Sequence, residues 1–146
     1  MALDFSALDD AVIARLEAQA ADFRAVRTLD EVEDLVGTAI PTPSAHTLVE
    51  RAVYQPPPGA ARYQEGAVTL AVYVRARNAR GYGAARKEAG GAYALVQATV
   101  AALRGYAPAP PAPCGPLELV DIAALSVAQG KAIYAVRFRA ATSEEY

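Results

Sequence analysis

Between Ala67 and Arg77 the sequence alternates: Val68, Leu70, Val72 and Val74 take every second position, with Thr69, Tyr73, Arg75 and Arg77 between them. Successive side chains of a strand point to opposite faces, so this run is a β-strand with one apolar and one polar row. An apolar row of that length needs a cover, and two helical periods elsewhere supply it. Phe5, Leu8, Val12 and Leu16 recur at helical spacing, and Ser6 followed by Asp9 has the form of a capping box, which predicts a helix ending near Ala21. After Gly90-Gly91, the stripe Tyr93, Val96, Val100 and Leu103 predicts a second helix, with Gly105 placed as its left-handed stop.

Other segments complete the sheet. Thr47–Tyr54 is rich in β-branched residues and ends at Pro56-Pro57-Pro58-Gly59, which predicts a strand closed by a stiff turn. Leu117–Leu125 and Ala132–Ala140 read as a hairpin around Gln129-Gly130, in which Tyr134, Val136 and Phe138 alternate with Ile133, Arg137 and Arg139. Phe23–Leu29 suits a short strand, and Thr28 with Glu31 forms a capping pattern ahead of a short helix carrying Val32, Leu35 and Val36. Residues 107–116 are proline-rich and predict an extended connector without ladder hydrogen bonds. The expected fold is α+β: an antiparallel or mixed four-stranded sheet with helices packed mainly on one face, all in one domain over residues 1–146.

Composition narrows the function classes. With 146 residues, 53% hydrophobic and 21% charged, the chain has the make-up of a folded domain. A formal net charge of −2 provides no general attraction to nucleic acid or anionic membranes, so neither is an expected partner. No run approaches the ~18 apolar residues of a membrane span, and the first residues lack the pattern of a secretory signal, so a cytoplasmic site of synthesis is expected. Cys114 is the only cysteine, which excludes an internal disulfide and a four-cysteine zinc site.

Candidate chemistry is sparse. Arg80-Gly81-Tyr82-Gly83 opens like an aromatic RNA-binding strand motif, but Ala84 and Ala85 stand where the apolar-aromatic continuation belongs. The same glycines imitate a dinucleotide fingerprint, yet Arg86 takes the third glycine position and the later acidic residue is missing. Arg75, Arg77, Arg80, Arg86 and Lys87 form the only basic cluster and are the candidate partner-facing residues, since arginine forks suit carboxylates as well as phosphates. An alternative use of the Gly81–Lys87 loop is as a cradle for a small anion or nucleotide. His46, the sole histidine, has no nucleophile elbow around it and reads as a satisfied strand-edge residue. Cys114 has no cation near it in sequence to activate its thiol. No catalytic residue, metal ligand or cofactor site is expected.

One pattern carries a family likeness. Val72-Tyr-Val-Arg-Ala-Arg-Asn78, then Arg80-Gly81, Gly91-Ala-Tyr93-Ala-Leu95 and Leu103-Arg-Gly105, resembles small tail proteins of Mu-like phages and prophages. The likeness extends through the Leu117 to Phe138 hairpin. It implies a tail-completion or tail-terminator protein: a ring, hexameric in the expectation, that caps the tail tube, ends its polymerisation and supports head–tail joining. The implied partners are copies of the same chain, the tube, and sheath or head–tail connector proteins, with assembly in the host bacterial cytoplasm and residence in the virion tail. Another tail or baseplate adaptor role is the alternative. Arg77, Asn78, Gly81, Gly91, Tyr93 and Gly105 match the pattern, all in shaping roles.

Overall fold

The computed structural model describes residues 3–31, 33–37, 40–77, 91–110, 114–128 and 131–145. The elements run α1 (Phe5–Gln19), β1 (Ala25–Thr28), α2 (Glu33–Val36), β2 (Ser44–Tyr54), β3 (Tyr63–Arg77), α3 (Ala92–Leu103), β4 (Glu118–Ala128) and β5 (Lys131–Glu145). The strands form one sheet in the order β1-β2-β3-β5-β4. The sheet is therefore five-stranded rather than four-stranded: β1 joins β2 in parallel, Ala25 opposite Ser44 and Thr28 opposite Thr47. All other pairs are antiparallel.

The Val68–Val74 alternation determines the register. Leu70 lies opposite Phe138 and Val72 opposite Val136, and these four side chains are fully buried. Burying each contributes roughly 1.5–3 kcal/mol, so the β3–β5 pair is the spine of the core. The cover has two halves. α1 packs on β1 and β2, α3 packs on β3 and β5, and the helices pack against each other. Arg15 joins them, its Nε donating to the Ala102 carbonyl at 3.0 Å and its guanidinium lying 4.9 Å from the centre of the Tyr106 ring.

Several local details differ from the sequence expectation. The α1 cap is Asp4, whose Oδ1 accepts from the Ala7 amide, while Asp9 reaches out to accept the Thr47 hydroxyl of β2. The buried face of α3 is Ala92, Leu95, Val96, Thr99, Ala102 and Leu103, which turns Tyr93 outward. Alanine and threonine weigh little in a hydropathy pattern, so that stripe was misplaced around the helix. Gly105 does take the left-handed conformation expected of it, with φ +81°, and its amide donates to the Leu117 carbonyl. The end of the proline-rich connector is pinned, not merely extended: the Gly115 amide donates to Ala141 and the Leu117 amide to Tyr106. Gly66 is required by close approach, because a Cβ there would lie 2.7 Å from the Val53 carbonyl oxygen and closer still to the Tyr54 ring.

Candidate functional site

The sheet face opposite α1 and α3 carries the polar row. At its end Arg75 is buried, only 5% exposed, beside the end of α2. Its Nη2 donates to the Gly37 carbonyl at 2.7 Å, and its Nη1 to Ser44 Oγ at 3.4 Å. Burial lowers the Arg75 pKa, and the nearby Asp34 carboxylate opposes that shift. Ser44 Oγ also sits 3.0 Å from His46 Nε2. His46 is fully buried between β1 and β3 rather than at an edge, and its pKa is lowered to about 4, first by burial and then by Arg75. The imidazole is therefore neutral at pH 7, and its Nδ1 has no hydrogen-bond partner among the described residues. A cleft of about 400 Å³ opens beside this corner, lined by Arg24, Leu35, Ile40, Arg75, Lys131 and Ile133 among others.

Farther along the same face, Glu50 occupies the bulge in β2 and bridges three strands. Arg137 of β5 donates to it from Nε at 2.9 Å and from Nη2 at 3.3 Å, and the Tyr73 hydroxyl of β3 donates as well. Burial alone would raise the Glu50 pKa, but these hydrogen bonds outweigh it and leave the carboxyl below its usual value. Arg137 also lies 3.6 Å from Asp121 of β4, so charge runs across the face in alternating sign.

The two edges of the sheet contrast with these closed regions. Among the described residues no strand pairs with the outer side of β1 or β4. β4 has register breaks that leave Val120 and Leu125 unmatched, and both are half exposed, at 51% and 50%. Ile122 lies opposite the core residue Val136 and so points to the helical side, yet it remains 45% exposed: among the described residues α1 and α3 pack on β1, β2, β3 and β5. Tyr93 stands nearby, edge-on to Tyr134 with ring centres 6.3 Å apart.

The basic cluster is divided by the structure. Arg75 is internal and spends two of its donors on its own chain, so it does not stand on a solvated face. Arg77 closes β3 opposite Lys131, while Asn78, Arg80, Gly81, Arg86 and Lys87 lie outside the described residues, as does the alternative anion cradle. Gly91 is the buried N-cap residue of α3. Cys114 is half buried against the core, and burial raises its thiol pKa. Among the described residues no group of three or more His, Cys, Asp or Glu side chains is placed to hold a metal. The surface residues that sequence reasoning missed are Val120, Ile122 and Leu125. Their apolar character in a strand signalled burial, and only the sheet order shows that they sit on the outermost strand among the described residues.

Comparison with known proteins agrees with an assembly protein. No curated protein matches the sequence at a significant level. Among solved structures, a chain from the "Virion of native gene transfer agent (GTA) particle" superposes with a TM-score of 0.64 at 17% identity, covering 95% of this chain and 96% of that one. At that identity the likeness carries the fold. The family model described as "Phage tail terminator protein" matches residues 1–145, and the chain therefore belongs to the phage tail terminator family as a structural protein of the virion tail.

Proposed function

We propose that the protein acts as one domain that closes with copies of itself into a hexameric ring on the end of the tail tube. The ring ends tube polymerisation and presents the surface to which the head-side connector docks. The observation that carries this reading is a sheet whose two outer strands have no further strand beside them among the described residues, one of them bearing the half-exposed Val120, Ile122 and Leu125, in a chain of the tail terminator family. A monomer rarely leaves such an edge bare, because unpaired strand groups and exposed apolar side chains recruit other chains. Two different edges on opposite sides of one subunit make a head-to-tail contact, and such contacts close into rings under cyclic symmetry.

The test is the solution mass over a concentration series, with electron microscopy of particles assembled with and without the protein. A species of six times the 15.3 kDa monomer mass, sitting at tube ends and needed for uniform tube length, is the expected result. Tubes of normal, uniform length in its absence would overturn the reading.

A further inference from the structure

We infer that the ring contact is an edge-to-edge strand pairing in which β4 of one copy joins β1 of the next, so that the sheet runs on from subunit to subunit. This deepens the ring reading above and rests on it.

Four observations select a second copy as the occupant of the β4 edge. The first is length. The register breaks at Val120 and Leu125 leave an unbroken stretch of β4 only from Asp121 to Ala124, and β1 spans four residues, Ala25–Thr28. Bulges limit how far an added strand can follow an edge, so a short partner fits where a long one would not. The second is direction. β1 and β2 run together, β3 runs against them, β5 against β3, and β4 against β5, so β4 and β1 point opposite ways. Rotation about an axis along the strands preserves direction, so β4 meets the next β1 antiparallel, the slightly more stable pairing.

The third is facing. Residues opposite each other in an antiparallel pair share a face. Asp121 lies opposite Arg137 on the polar face, and Arg27 lies opposite His46 on that face too. Aligning Asp121 with Arg27 then sets Ile122 against Val26 on the helical side and Ala123 against Ala25. The fourth is charge. The β4 edge carries Glu118 and Asp121, the β1 edge carries Arg24 and Arg27, and the Asp121 and Arg27 side chains are each about half exposed. The same register meets Asp121 with Arg27 and covers Ile122, 45% exposed in the single chain, with the neighbour's Val26 and the α1 helix above it.

The experiment uses the full chain with Cys114→Ser and the pair Ala25→Cys and Ala123→Cys. Mild oxidation of assembled protein should give covalent multimers up to the ring size, whereas either single cysteine variant should give none beyond a dimer. In parallel, Asp121→Arg should weaken assembly by about tenfold or more, and adding Arg27→Asp should restore it. Rings that form without cross-links, and that Asp121→Arg does not weaken, overturn the edge pairing and leave the ring reading standing. Rings unaffected by Asp121→Arg while capture by tail tubes is lost overturn it in favour of a tube protein as the occupant. Protein that stays monomeric both alone and at tube ends overturns the ring reading and the pairing with it.

Discussion

The two sides of the sheet are finished to different degrees. On the β1–β2 side, α1 lies on one face and Gly37 at the end of α2 meets Arg75 on the other, and even the polar groups Ser44, His46, Thr47 and Arg75 are internal. On the β4 side neither α1 nor α3 packs closely on the strand among the described residues, and Val120, Ile122 and Leu125 stand half exposed. Both sides draw on the same apolar and β-branched residue types, so composition does not separate them. On the proposed reading the difference marks where the folding of one chain ends and assembly begins: the closed side carries the stability of the subunit, and the open side is left for a neighbour.

The sharpest way to break this comparison is to delete an apolar side chain from each side. Leu16, on the helix that covers β1 and β2, is fully buried, and Leu16→Ala should cost about 2–5 kcal/mol in urea unfolding of dilute, unassembled protein. Ile122→Ala in the same assay should cost only about 0.5 kcal/mol and should lower ring formation instead. Equal losses of subunit stability would mean that β4 is covered within a single chain.

A smaller effect tests the closed side through its buried imidazole. The His46 pKa is lowered from the ordinary 6.5 to about 4 in the folded protein, so between those values the unfolded chain holds a proton that the folded chain lacks. Stability present above pH 6.5 is therefore lost as pH falls toward 4, by roughly 3 kcal/mol in all. Because His46 is the sole histidine, urea midpoints measured from pH 7 to pH 4.5 should fall in the native chain and flatten in His46→Asn. A native profile that is flat over this range would show that the imidazole is not enclosed.

The smallest effect concerns the polar face. Glu50→Gln should cost at most about 1 kcal/mol, since the bridge to Arg137 and Tyr73 is partly solvated, and the loss should shrink in high salt. A salt-independent loss would place this network under a cover that the described residues do not supply.

Much of the closed side was legible in the sequence. The Val68–Val74 alternation and its counterpart Val136 and Phe138 gave the core strands, and the Leu8, Val12 and Leu16 spacing gave the helix that covers β1 and β2. β1 was visible only as a possible short strand, because four residues carry too little periodicity to show a parallel pairing. Arg75 and His46 were misplaced for a common reason. Alternation reports which face a side chain takes, and it is silent on whether a later segment covers that face. The exposed row on β4 was hidden by the same limit in reverse: a Val, Ile or Leu in a strand looks buried until the strand order puts it at an edge without a helix. The bulges at Val120 and Leu125 left no sequence mark, since neither is a glycine.

The most direct test of the claim that β4 is left open for a neighbour is amide hydrogen exchange on the monomer and on the assembled ring. The account expects amides within Asp121–Ala124 and Ala25–Thr28 that exchange readily in the monomer to become protected together on assembly, with the β3–β5 core protected in both. Unchanged exchange at both edges in a fully formed ring would contradict it.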